Sequence, residues 1–148
     1  MRCAVVGGGA WGTALADLLA DNGHETFLWA LESDVVASIN DAVATICRLN
    51  EDVRTNAQVR QDPGFDSRLH NALESLSEFT DFTAIQAADG TTTILIGGQT
   101  LALIGDHQYN LSTELDGVGA TVLDSSGKSI NSQITSGRLG ALLSYRNE

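Results

Sequence analysis

The hydrophobic spacing of this chain changes period once, and that change constrains its fold more than any other feature. From Asp34 onward apolar residues recur three and four apart, at Val36, Ile39, Val43, Ile46, Val53 and Ala57, with Asn50 on the same seam. Such spacing puts them on one face of a long helix. A polar Asn in an apolar seam commonly fixes register between helices, so the stripe reads as coiled-coil-like, or else as one helix burying a face on its own domain. Asp62-Pro63-Gly64 predicts a turn, with Pro preset for its second position and Gly for its third. A second helix follows, carrying Leu69, Leu73, Leu76 and Phe79 on one face. After Phe82 the period becomes two. Residues 83–88 and 91–96 flank Asp89-Gly90, which predicts a two-residue type I′ hairpin. Residues 100–104, 108–111 and 119–124 continue as strands. Residues 136–145 read as a short terminal helix with Leu139, Leu142 and Leu143 inward. Helices followed by antiparallel strands predict an α+β fold, comprising a helical hairpin, an antiparallel β-meander and a short C-terminal helix.

The first forty residues have a different organisation. Cys3-Ala4-Val5-Val6 is a continuous apolar run of the kind found in buried parallel strands. It enters Gly7-Gly8-Gly9-Ala10-Trp11-Gly12, which fits G-x-G-x-x-G, and a helical pattern with Ala14, Leu15, Leu18 and Leu19 on one face ends at Asn22-Gly23. Residues 26–30 then read as a second strand. This strand–glycines–helix–strand frame is the context in which the motif cradles a dinucleotide. Gly7 permits the tight turn, Gly9 admits the pyrophosphate to the backbone, and Gly12 lets helix and strand pack closely. The helix start, at Ala10 and Trp11, aims free N–H groups and a positive dipole end at the phosphates. An acidic residue at the end of the second strand would hold the ribose hydroxyls, and Glu32 is the nearest candidate.

Charge and composition narrow the partners. A net charge of −11 excludes nucleic acid and an anionic membrane surface, which need clustered Lys and Arg. No apolar run approaches the ~18 residues of a membrane span, and no secretory leader is expected. Lys128 is the single lysine, so chemistry needing several lysines is excluded. Cys3 and Cys47 lie in apolar periodic contexts and read as small hydrophobes. His24, His70 and His107 have no metal-ligand spacing, so no metal is expected. Ser126-Gly127-Lys128-Ser129 resembles the end of a P-loop, but Val122 stands where that loop needs Gly. Asp62, Asp66, Asp89 and Asp106 sit at turns or helix starts, where Asp is favoured for local reasons.

Two stretches carry family resemblances. Gly7 to Gly12 with Thr13-Ala14-Leu15-Ala16, then Asn22-Gly23-His24-Glu25 and Leu28-Trp29-Ala30, resemble the start of bacterial NAD(P)-dependent glycerol-3-phosphate dehydrogenase. That resemblance covers residues 1 to about 36. It implies a partial Rossmann-like βαβ unit that would take NAD or NADP through Gly7, Gly9, Ala10, Trp11, Gly12 and Glu32. Leu31 stands where that family usually has an Arg that helps with the adenosine phosphate. The catalytic lysines and substrate domain of that family have no counterparts in this sequence. No dehydrogenase activity and no catalytic residues are therefore expected, and no resident cofactor for the chain as a whole.

The second resemblance covers roughly residues 40–148. Leu69 through Ser77, Ala88-Asp89-Gly90-Thr91, Ile96-Gly97-Gly98-Gln99-Thr100-Leu101, and Ile134 through Leu143 with Tyr145-Arg146 are similar, in the same order, to the middle of bacterial flagellar hook-associated proteins of the FlgK type. The stretch 113–119 looks shortened against that family. The resemblance implies a non-enzymatic structural or assembly segment of the hook–filament junction. Its implied partners are proteins, either junction components or a second copy meeting through the Val36–Ala57 stripe. It implies the extracellular flagellum if the segment is exported, and the cytoplasm as it stands. Three regions are expected: 1–36 as partial βαβ, 37–82 as helical segment, and 83–148 as meander with terminal helix. The seam between the two resemblances falls near 34–40, inside a helix.

Overall fold

A computed structural model describes residues 1–6, 10–29, 32–115 and 119–147. Gly7 and Gly9, Leu31 and part of the stretch 113–119 lie outside the described residues. The chain runs β1 (Arg2–Val6), α1 (Ala10–Asp21), β2 (Glu25–Trp29), α2 (Glu32–Thr55), α3 (Pro63–Phe79), β3 (Phe82–Gln86), β4 (Thr92–Ile96), β5 (Thr100–Ile104), β6 (His107–Gln108), β7 (Ser112–Leu115), β8 (Ala120–Leu123) and α4 (Gly137–Asn147). Short 3-10 turns occupy Ala57–Gln61 and Asn131–Gln133. This is the expected α+β mixture, sorted into three sheets: β1-β2, β3-β4-β5-β6 and β7-β8.

β1 and β2 pair in parallel, from Arg2 opposite Glu25 to Val6 opposite Trp29, with α1 as the crossover. Helix α1 ends as expected at Asn22-Gly23. The Gly23 N–H donates to the Ala20 carbonyl at 2.9 Å and the His24 N–H to the Leu19 carbonyl at 3.1 Å. These are the two bonds of a Schellman cap, and the left-handed φ of +78° at Gly23 makes them reachable. The face expected to turn inward does not fully do so. Leu15 and Leu18 remain 49% and 59% exposed, because two strands cover only part of the surface of a 12-residue helix.

The long helix forms with the stripe in place, and the chain's own elements bury it. Val36, Ile39, Val43, Ile46 and Val53 are all buried. The first four join one core with Leu76 of α3, Ile94, Ile96 and Leu103 of the four-stranded sheet, Ala120 and Val122 of β8, and Leu139 and Leu143 of α4. The coiled-coil-like reading is thus corrected, since the chain's own sheets consume the seam. Ala57 is corrected too, lying past the end of α2 and exposed.

Asp62-Pro63-Gly64 is not a free turn but a helix start. The Asp62 carboxylate accepts the Gly64 N–H at 3.0 Å, and Pro63 takes the first helical position, where its missing N–H costs nothing. The Asp89-Gly90 hairpin also differs. Only glycines have positive φ among the described residues, so Asp89 cannot form the type I′ turn. Instead the Gly90 N–H donates to the Ala87 carbonyl and the Ala87 N–H to the Thr91 carbonyl, with Gly90 at φ +89°, a longer loop closed by a glycine bulge. β5 carries a second irregularity. Its register against β4 jumps from Leu101 to Leu103, and the extra residue, Ala102, is buried and accepts the Tyr109 N–H. The stretch 108–111, read as one strand, divides between the end of β6 and the approach to β7.

Candidate functional site

Two regions hold the residues with chemical interest: the β1–α1 junction and the surfaces where α2 meets the sheets. At the junction, Ala10, Trp11 and Gly12 form the first turn of α1, as the motif requires, and that turn carries no acidic residue to repel an anion. Glu32 does not end the second strand. It opens α2, three residues beyond Trp29, and is 1% exposed. Sequence reasoning chose it as the acidic residue nearest the end of the second strand; the burial of a carboxylate there had no sequence signal.

Along α2 two asparagines act as surrogate strand residues. Asn40 donates from Nδ2 to the Leu111 carbonyl and accepts the Leu111 N–H on Oδ1, both at 2.9 Å. The Asn40 backbone carbonyl accepts from Gln108 Nε2 at 2.8 Å. Asn50, 2% exposed, donates to the carbonyls of Thr92 (2.9 Å) and Gly105 (2.7 Å) and accepts the Thr92 N–H (2.8 Å). It fills the gap where β5 has turned away from β4. Arg54, one turn further, meets Asp106 at 2.6 Å. The same device recurs on β8. Asn131 accepts the Val122 N–H and donates to the Ala120 carbonyl, while Asn147 of α4 accepts the Ala120 N–H and donates to the same carbonyl. Of these residues only Asn50 was singled out from sequence. An amide's two-way bonding is available to any Asn, so spacing alone does not mark the others.

A further latch joins α3, β3 and α4. Asp81 accepts the N–H groups of Thr135 and Ser136, at 3.1 and 3.3 Å, and the Thr135 hydroxyl. The Arg138 guanidinium lies 5.6 Å from the centroid of the Phe79 ring. A Cβ on Gly137, whose φ is +74°, would come within 2.6 Å of the Phe79 carbonyl carbon, so glycine is required for this approach.

Ionisable groups are tuned for turn geometry. Hydrogen bonds from the Thr91 hydroxyl and N–H hold the Asp89 carboxyl below the usual range. The Ser126 hydroxyl and the Lys128 N–H do the same for Asp124. Partial desolvation raises Asp106, but its backbone N–H, His107 and Arg54 outweigh that, and it too lies low. Burial pushes the Cys47 thiol up, aided by the charges of Glu51 and Asp106. The Ser126–Ser129 stretch belongs to a turn in which the Gly127 N–H donates to the Asp124 carbonyl, and no α-helix starts directly from it, so the P-loop likeness is local only. Among the described residues no group of three or more His, Cys, Asp or Glu could hold a metal ion. None of the described helices is long and apolar enough to cross a membrane.

A groove of about 500 Å³ runs between α2 and α3, lined by small and polar residues such as Ser38, Ala42, Thr45, Asn71 and Ser75, with Asp41 and Arg68 of opposite charge. Helical hairpin, closing sheets and the asparagine bridges together describe an α+β domain whose buried Asn50 is bonded to the backbone of its own sheet. The family model "Flagellar hook-associated protein FlgK helical domain" matches residues 31–148, and the chain belongs to that family. A solved structure agrees in fold. "The structure of the flagellar hook junction protein FlgK from Burkholderia pseudomallei" superposes with a TM-score of 0.64 at 20% identity, over 90% of this chain and 24% of that one.

Curated relatives of the other kind are glycerol-3-phosphate dehydrogenases [NAD(P)+]. The protein from Erythrobacter litoralis is 49% identical over 61 residues, 38% of this chain and 18% of the relative. One from Sphingopyxis alaskensis is 69% identical over 36 residues, 24% and 11% of the two chains. One from Latilactobacillus sakei is 34% identical over 107 residues, 72% and 26%. The chain thus spans 11% to 26% of the length of these relatives. The 107-residue match is too long to fit in residues 1–30, so it runs into the part that the flagellar family covers.

Proposed function

We propose that this chain is a non-enzymatic assembly module of the flagellar hook–filament junction type, preceded by a partial dinucleotide-binding unit. The observation that carries the reading is the family match across residues 31–148, joined to a matching fold. The buried polar side chains Asn50 and Thr100 bond to neighbouring protein groups, which suits a scaffold. In this reading the partners are other proteins of the junction and the place of work is the external flagellum. The chain divides into a βαβ start to about residue 36, a helical segment to about 82, and the sheets with α4 beyond. The test is sedimentation of the purified chain with isolated hook–filament complexes. Co-sedimentation that saturates supports the module; none, under conditions where the complexes stay intact, sinks it.

A second reading has its own support, the parallel β1–β2 pair with α1 between and an acid-free first helical turn. It takes the chain as an NAD- or NADP-binding fragment related to glycerol-3-phosphate dehydrogenase, with Gly7, Gly9, Ala10, Trp11, Gly12 and Glu32 as the site. Calorimetric titration with NAD and NADP decides it. Saturable binding abolished by Gly9→Asp supports the fragment, and no heat at millimolar cofactor overturns it. Oxidation of glycerol 3-phosphate by the pure chain is not expected under either reading.

A further inference from the structure

We propose that β3 is an interaction edge that pairs with β3 of a second copy of this chain, joining two four-stranded sheets into one of eight. β3 is the outer strand of its sheet and, among the described residues, has β4 as its only strand neighbour. The two bonds that flank the ladder fix its phase. The Ala87 N–H donates to the Thr91 carbonyl, and the Gly97 N–H to the Asp81 carbonyl. Antiparallel pairs alternate between bonded and non-bonded, so Thr83 and Ile85 bond to β4 while Phe82, Ala84 and Gln86 aim their N–H and C=O groups away from it. Another strand can bond the whole of such a row of alternating donors and acceptors in register.

Two other edges are closed differently. At β6, Gln108 is tied to Asn40 of α2, and at β8 the amides of Asn131 and Asn147 occupy the backbone groups of Ala120 and Val122. Among the described residues β3 has no such cover. Phe-Thr-Ala-Ile-Gln holds no proline and no charge, the usual devices that blunt an edge, and Ile85 is 50% exposed. The occupant is a second copy because the strand complements itself. Pairing about Ala84 sets Ala84 against Ala84 and Phe82 against Gln86 of the other copy, so all three outward positions meet outward positions. Thr83 then faces Ile85, and Asp81 faces Ala87, so no like charges are opposed. The rest of each chain carries −11, so association strengthens as salt screens the repulsion.

This proposal rests on the strand geometry alone and not on the flagellar reading. Sedimentation velocity of the full chain, up to about 1 mM, reads the mass. The expected result is a monomer–dimer equilibrium that shifts toward dimer from about 0.05 to 0.5 M salt. Ala84→Pro removes the central outward N–H, which an edge strand tolerates, and Ile85→Lys places a charge on the paired face. Both are expected to stay monomeric with unchanged far-UV circular dichroism. Ile85→Lys carries the test should Ala84→Pro misfold. Hydrogen exchange gives the site-level readout. The Ala84 and Gln86 amides slow as concentration rises, whereas those of Thr83 and Ile85 are protected throughout. A wild-type chain monomeric at 1 mM (about the highest concentration tested) overturns the proposal. So does a dimer that survives Ile85→Lys, or one that leaves Ala84 and Gln86 exchange unchanged.

Discussion

Replacing Asn50 by Leu separates two physical accounts of the long helix, because they predict opposite signs. If Asn50 were a register-setting polar residue in an intermolecular seam, Leu would strengthen the seam and promote association. In the structure Asn50 instead satisfies three backbone groups: the Thr92 N–H, the Thr92 carbonyl and the Gly105 carbonyl. Leu leaves all three without a partner, the two Thr92 groups buried and the Gly105 carbonyl partly so. At about 1–2 kcal/mol for each orphaned group, the lower part of the usual range because the Gly105 carbonyl is only partly buried, the loss is roughly 3–6 kcal/mol. The gain from an apolar side chain offsets about 1.5 kcal/mol of that. A net loss of about 2–4 kcal/mol is a large share of the 5–15 kcal/mol, roughly, that holds a domain together. Urea unfolding followed by far-UV circular dichroism measures it. With a slope of about 1–3 kcal/mol per molar, the midpoint falls by roughly 1–3 M. An Asn50→Leu chain as stable as wild type, or more so, would refute the account of Asn50 as an intramolecular strand surrogate.

Other consequences follow from the titratable groups and the α4 approach. Asp89, Asp106 and Asp124 all have folded-state values below the usual 3.8. The folded chain then binds fewer protons than the unfolded one, so their contribution is full above pH 4 or so and is lost as pH falls through the lower folded values. The urea midpoint should drop steadily below about pH 4, and less so in Asp89→Asn and Asp124→Asn; a midpoint that holds level down to pH 2 or so contradicts this. Cys47, buried and shifted up, should react with a thiol reagent at neutral pH only as fast as the chain opens; labelling at the rate of a free thiol counts against its packing. Gly137→Ala combines a left-handed φ with a 2.6 Å approach to α3, and should cost at least about 1–3 kcal/mol by the same denaturation assay; an unchanged midpoint would show that α4 docks otherwise.

Much of this architecture could be read from spacing, and the misses share one cause. Long elements with strong periodicity, α2, α3 and β4, appear where the apolar pattern puts them, because burial of one face is a cumulative signal over many residues. The turns did not follow their dipeptides. Asp62-Pro63-Gly64 suits a turn and a helix start equally well by local chemistry, and the helix downstream decides between them. Asp89-Gly90 favours type I′ only if Asp89 accepts a positive φ. Its carboxylate finds better bonds to Thr91, and the loop lengthens around Gly90 alone. The stripe was legible as a buried face, but what buries it was not. Residues such as Ile94, Leu103 and Val122 meet Ile39 and Ile46 only through tertiary packing, which no local period encodes.

The candidate cofactor site shows the same limit from the other side. Its glycine spacing describes a turn and a helix start, and Ala10 to Gly12 do open α1 beside a parallel strand pair. A dinucleotide, however, lies across a crevice outside the carboxyl ends of several strands, where the strand order reverses. Among the described residues the sheet next to this motif consists of β1 and β2 alone, and the chain beyond Glu32 goes into a helix whose apolar face is committed to a different core. In the dinucleotide-binding reading proposed above, such a unit would supply the phosphate end of a site, through backbone N–H groups and the helix dipole, without the walls that would grip a nicotinamide. Any affinity it has is then set by the phosphates, so ADP and NAD should compete on nearly equal terms. A strong preference for NAD would mean that another surface, from a further chain, completes the crevice.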